Sequence, residues 1–139
     1  MNQLQKQLVA FEGLRLLPYE CTAGKITIGV GRNIEDIGIT EEEAMILLDN
    51  DIERVRGELD RAIPWWQGLT ETRRNVLIDM CFNLGISRLM QFKKALSAIE
   101  AGDYELGATE MLDSAWSQQV GARSHKLAES MRTDTPVEI

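Results

Sequence analysis

The sequence predicts a mostly helical α+β fold, in which a small N-terminal β-hairpin lobe is joined by one long linking helix to a helical C-terminal lobe. Three observations carry this. Leu4, Leu8 and Phe11 recur at i, i+4 and i+7, the apolar stripe of an amphipathic helix facing inward. From Lys25 to Gly31 the period drops to two, with Ile26, Ile28 and Val30 on one face and Thr27, Gly29 and Gly31 on the other, as a half-buried strand requires. Beyond Thr40 the period returns to helical, since Ala44, Leu47, Leu48, Ile52, Val55 and Leu59 share one face.

Taken in order, the first helix covers 2–12. Glu12 closes it, and Gly13 supplies the backbone freedom that commonly ends helices and so fixes where Glu12 points. A hairpin follows over 14–34, in which Pro18 and Ala23-Gly24 make Tyr19-Glu20-Cys21-Thr22 a loop. Thr40 and Glu43 form a capping box for a helix over 40–60. About twenty residues at 1.5 Å each give a rod of roughly 30 Å, long enough to link two lobes. Pro64-Trp65-Trp66-Gln67-Gly68 breaks the pattern, and helices are expected near 70–84, 87–91, 93–101, 103–113 and 121–131. The tail from Asp134 to Ile139 reads as a loose end. At 139 residues and 44% hydrophobic, the chain can bury a core with neither disulfides nor metal. One domain over 1–139 is expected, with a sheet lobe over about 13–60 and a helical lobe from 1–12 and 61–133.

Glu12, Cys21 and Thr27 lie nine and then six residues apart, running from a helix end into the hairpin. An acidic residue ending a helix, followed by a polar pair on a short facing sheet, is how a cleft enzyme places a general acid and a water-positioning pair on opposite sides of a scissile bond. The chain therefore reads as a sugar-cleaving enzyme. A carboxylate at a helix C-terminus with partial burial has its charged form disfavoured, which suits a proton donor. The plain alternative is an exposed helix-end carboxylate. Gly29 and Gly31 either let a ligand approach the backbone closely or serve the hairpin structurally.

At these residues the chain resembles the phage lysozyme (endolysin) family. The resemblance begins with Glu12-Gly13-Leu14-Arg15 and Tyr19 and continues through Thr27-Ile28-Gly29-Val30-Gly31. It resumes in Arg73-Arg74, Asp79-Met80-Cys81-Phe82-Asn83-Leu84-Gly85, Phe92, Trp116 and Arg132-Thr133, with a shortened segment after the hairpin. It implies a lysozyme-like fold and hydrolysis of the β-1,4 bond between N-acetylmuramic acid and N-acetylglucosamine in bacterial peptidoglycan. Glu12 would be the general acid on the glycosidic oxygen, Cys21 would stand where the family often has Asp, and Thr27 would help hold the attacking water. Phe82 and Asn83 fall where the family has an aromatic residue and an amide contacting the saccharide. Asn33, Ala95 and Glu110 stand at other substrate-contacting positions, and Arg123 matches a basic residue across the groove that could pair with Glu12.

Cys21 in place of a carboxylate removes the usual two-carboxylate scheme. It can act as thiolate base, as electrostatic partner, as nucleophile or as a polar group orienting water, and Glu20 beside it is a rival for the second role. Phe82 is either a sugar platform or core, and Trp65 and Trp66 either bind sugar or pack under a loop. The rival activities are a lytic transglycosylase, a wall-binding protein without activity, and a cysteine amidase, which would need His125 near Cys21. His125 itself reads as a surface helix residue.

The net charge of −7 is unevenly spread: residues 35–60 hold ten acidic and two basic side chains, leaving the rest near +1. That acidity reads as the solvated face of the long helix. Arg73, Arg74, Arg88, Lys93, Lys94, Arg123, Lys126 and Arg132 leave the helical lobe able to meet an anionic polymer, whereas nucleic-acid binding is disfavoured. No cofactor and no metal cluster is expected. Met1 to Gln7 lacks a long apolar core, and no run approaches the roughly 18 residues of a spanning helix. The expectation is a monomer that accumulates in the host cytoplasm without membrane insertion, its two cysteines reduced, until a phage holin, by the resemblance, releases it to the periplasm.

Overall fold

A computed structural model describes residues 1–139, and it contains eight α-helices, one 3-10 helix and a three-stranded antiparallel sheet. The chain forms two compact units, Met1–Leu47 and Leu48–Ile139. Their boundary falls inside one helix, and the first helix and the sheet both lie in the first unit.

In the first unit α1 spans Gln3–Glu12, started by a reciprocal pair in which the Gln5 amide donates to Asn2 Oδ1 and the Asn2 amide donates to Gln5 Oε1, both at 2.8 Å. Gly13 ends it at φ +81, donating to the Val9 carbonyl at 2.8 Å. The stripe does not face inward as expected. None of α1 is buried, and Phe11 is 82% exposed. The period of the stripe shows that one face is apolar but not what covers it. Within this unit the neighbouring sheet also turns Leu14, Leu16 and Leu17 outward, so there is no core there to receive the stripe.

The sheet runs β1 (Arg15–Glu20), β2 (Ile26–Gly29) and β3 (Arg32–Asn33), with β2 in the centre. Tyr19 and Glu20 are thus strand, not loop, and pair with Thr27 and Ile26. Pro18 is accommodated because β1 is an edge, where a missing N–H costs no ladder bond, and the register slips between Arg15 and Tyr19. The alternation in β2 is real, but its faces are reversed from expectation. Thr27 is 3% exposed whereas Ile26 and Val30 are each more than a third exposed. Thr27 sits between Tyr19 and Asn33, its partners on either side, and residues directly opposite share a face.

Helix α2 spans Glu41–Ala62. Glu43 serves it twice: it closes the capping box with Thr40, and it takes a bidentate ion pair from Arg32 at 3.0 and 2.9 Å. Those bonds, Arg32 foremost and then the Thr40 amide, hold the Glu43 carboxyl at about 2 against an ordinary 4.5. A carboxyl depressed on folding contributes stability above its unfolded value and loses it as the pH falls through the folded one. Thermal melts of the protein and of Glu43→Gln should therefore differ most above pH 4.5 and converge towards pH 2.

The second unit holds the whole hydrophobic core. A 3-10 helix at Pro64–Gly68 is followed by α3 (Glu71–Leu84), α4 (Ile86–Leu89), α5 (Lys93–Glu100), α6 (Tyr104–Leu112), α7 (Ala115–Val120) and α8 (Ala122–Thr133). Val76, Leu77, Met80 and Cys81 of α3 are at most 2% exposed, and α8 packs on both α3 and α6. Trp66 is buried and donates Nε1–H to Asp60 at 2.8 Å, which makes it a packing residue with its polar edge satisfied. Helix α7 was not expected. Ser114 caps it, accepting from the Ser117 amide at 3.2 Å, and Gly121 separates it from α8. At the far end the tail is pinned: Ser130 Oγ donates to the Thr135 carbonyl at 2.8 Å, and Asp134 accepts from Thr70 and lies 3.8 Å from the Arg73 guanidinium as an ion pair.

Candidate functional site

The hairpin places Cys21 and Thr27 through a single carbonyl. Cys21 N–H donates to Lys25 O at 2.9 Å, closing the β1–β2 turn, and Thr27 Oγ1 donates to the same oxygen at 2.9 Å. Alternation along β1 puts Tyr19 on the Thr27 face and Glu20 on the opposite one, since Glu20 pairs with Ile26. Cys21, one residue further, returns to the Thr27 side. The Cys21 thiol is half-buried, and hydrogen bonding lowers its pKa, first from the Lys25 backbone, then from that of Ala23, then from the Thr27 hydroxyl. The Thr27 hydrogen is given to the Lys25 carbonyl.

Cys81 is the opposite case. Burial in α3, assisted by the Glu58 charge, pushes its thiol up to about 11. Alkylation of the native protein by iodoacetamide near pH 8 should therefore add a single label, at Cys21, and a second only after denaturation; intact-mass spectrometry reads both steps.

Glu12 is exposed, so the burial that the sequence suggested for it is not present. Its carboxylate lies against the turn between β2 and β3. A methyl group built on Gly31 would come 2.8 Å from Glu12 Oε2 and 3.2 Å from Cδ. The close approach that the glycines allow is thus made by Glu12. Asn33, on β3 opposite Thr27, commits its side chain to Asp36: Nδ2 donates to Oδ2 at 3.0 Å and Oδ1 accepts the Asp36 amide at 3.1 Å.

The second unit carries the remaining residues. Phe82 is 45% exposed and lines a groove of about 330 Å³ with Ile52, Arg56, Ile78, Asp79 and Arg123. Arg123 pairs with Asp79, at 2.7 and 2.8 Å, rather than standing as a free cation for Glu12. Asn83 is exposed, and its Oδ1 accepts the Trp116 Nε1–H at 2.8 Å. Indole N–H only donates, so this bond fixes the amide with its oxygen inward and its NH₂ free. Sequence reasoning missed that anchor, which depends on α7. Ala95 and Glu110 line a separate groove of about 430 Å³, together with Arg88, Lys93, Lys94 and Trp116.

The basic residues divide. Arg73 lies over the Tyr104 ring at 3.5 Å and donates to the Met131 carbonyl, and Arg132 pairs with Glu129 and Glu105, so both serve the fold. Arg88, Lys93 and Lys94 have no ion-pair partner and edge the larger groove. His125 is an exposed residue of α8. No helix is long and apolar enough to cross a membrane.

Residues 9–132 match the family model described as phage lysozyme. Among individual proteins, the chain is 33% identical to an endolysin of Acyrthosiphon pisum secondary endosymbiont phage 1, over 78% of this chain and 73% of that protein. It is 25% identical to a probable T4-type lysozyme of Dictyostelium discoideum, over 97% and 96%. It is also 29% identical to a pre-baseplate central spike protein of Enterobacteria phage T4, over 84% of this chain but only 25% of that much longer protein.

Proposed function

Since the chain belongs to the phage lysozyme family, we propose that it is a peptidoglycan-cleaving endolysin, hydrolysing the β-1,4 bond between N-acetylmuramic acid and N-acetylglucosamine and so lysing the host. The observation that carries this reading is the hairpin arrangement, with the Cys21 thiol and Thr27 on one face and the Glu12 carboxylate seated on the turn of the same hairpin. Glu12 protonates the leaving oxygen. Water enters from the Cys21 and Thr27 side, and a thiol of lowered pKa polarises it as base or charge partner. Phe82 offers a ring face to the saccharide, Asn83 its free NH₂, and Asn33 the one Nδ2 hydrogen not given to Asp36. Arg123, held by Asp79, offers its remaining N–H groups. The two units act as lobes of one catalytic domain, working as a monomer that a holin admits from the cytoplasm to the wall.

Cys21 shares a side with Thr27 and Glu20 does not, so Cys21→Ala should reduce turnover by about a hundredfold, within the usual range for a positioned proton-transfer group. Glu20→Gln should leave it nearly intact. Initial rates of peptidoglycan solubilisation give the order, and the reverse order would transfer the role to Glu20.

A lytic transglycosylase is a second reading, because Cys21 stands where the two-carboxylate scheme needs its second carboxylate and such an enzyme needs only one acid. Digesting purified peptidoglycan and weighing the muropeptides decides between them. Reducing ends carrying the mass of one added water mark the hydrolase, 1,6-anhydromuramic ends mark the transglycosylase, and an absence of fragments would overturn both.

A further inference from the structure

Eight glycines have positive φ, but only one of them asks for glycine on two separate grounds. The β2–β3 connection pairs Ile28 with Arg32, leaving Gly29-Val30-Gly31 as a three-residue loop whose last residue takes a left-handed conformation, φ +66. That is a backbone demand, shared with Gly38 at φ +69, where no atom lies within 4 Å of where a side chain would begin. At Gly31 the same space is filled by the Glu12 carboxylate, with Oε2 at 2.8 Å, Cδ at 3.2 Å and Cγ at 3.4 Å. Three atoms of one side chain therefore rest where any substituent at Gly31 would stand.

We propose that Gly31 is a positioning residue, its bare Cα forming the seat that sets the Glu12 carboxylate against the hairpin bearing Cys21 and Thr27. This rests on Glu12 being the proton donor. Glu12 has no hydrogen-bond partner and is exposed, so nothing else in the first unit fixes its tip. For the same reason a methyl group at Gly31 would displace the carboxylate at little energetic cost, because an exposed side chain can swing away. The effect belongs to turnover, not to folding. A proton donor must sit within hydrogen-bond reach of the leaving oxygen, and a shift of about 1 Å is enough to cost on the order of a hundredfold.

The test compares Gly31→Ala with Gly38→Ala, which carries the same backbone strain without the carboxylate. Gly31→Ala should lose kcat by about ten- to a hundredfold with KM changed by less than about twofold, as expected when an interaction of the transition state alone is removed. Its Tm should fall no further than that of Gly38→Ala, which keeps its kcat. The crystal structure of Gly31→Ala should show the Glu12 side chain moved off the turn. An unmoved Glu12, or a kcat equal to that of Gly38→Ala while Glu12→Gln is inactive, would overturn this inference alone. Full activity in Glu12→Gln would remove Glu12 as the proton donor of the proposed function, and this inference with it.

Discussion

Glu12→Gln is expected to lower muropeptide release by about a hundred- to ten-thousandfold, the range that a positioned general acid supplies. Gln matches Glu in shape, so it can still rest on Gly31, but it has no proton to give the leaving oxygen. Glu12 is exposed and makes no hydrogen bond or ion pair, so the substitution removes no contact from the fold. Stability should shift by no more than about 0.5 kcal/mol, as for ordinary surface changes. Fragment release measured by mass spectrometry beside a thermal melt separates the two effects. Substantial remaining lysis with an unchanged melt would remove Glu12 from the mechanism.

Trp116→Ala should have the largest effect on the fold. Trp116 is 3% exposed, packs edge-on against Phe92 with ring centroids 5.9 Å apart, and holds Asn83 by its indole N–H. Removing a buried indole typically costs about 3–5 kcal/mol, a large share of the 5–15 kcal/mol that stabilises most domains. Trp116→Phe isolates the second role. It keeps most of the packing but leaves the Asn83 oxygen without its donor, so stability should fall by only about 1 kcal/mol. The freed amide can then rotate, and KM for peptidoglycan should rise. Urea unfolding and steady-state kinetics on both variants read the two roles, and an unchanged KM in Trp116→Phe would show that the Asn83 orientation is not used.

Local signals carried the fold well. The stripe of α1, the capping box at Thr40 and Glu43 and the period-two run after Lys25 each placed an element within about two residues, because each depends on neighbours along the chain. What escaped depends on partners distant in sequence or on a choice between equivalent faces. The alternation through β2 could not say which face would be covered, and Thr27 is on the covered one, between Tyr19 and Asn33 on the neighbouring strands. Helix α7 is six residues long and too short to show a period; its signals, Ser114 before it and Gly121 after it, are weak unless paired. At the site, Glu12, Cys21 and Thr27 were legible as residue types at a spacing. The seat on Gly31, the inward-turned oxygen of Asn83 and the capture of Arg123 by Asp79 were not, since these are contacts between elements.

The bonds that finish the second unit join α3 to the region of α8. Arg73 reaches the Met131 carbonyl 58 residues away, Thr70 reaches Asp134 at 64, and Arg123 returns to Asp79 across 44. The polar ties of the first unit are short, Asn33 to Asp36 across three residues and Arg32 to Glu43 across eleven. Contacts between near neighbours need little loop closure, while distant ones must await the later residue. During synthesis the hairpin and the start of α2 can therefore organise while the ribosome is still working. The helical unit stays incomplete, with its α3 surface uncovered, until α8 has emerged.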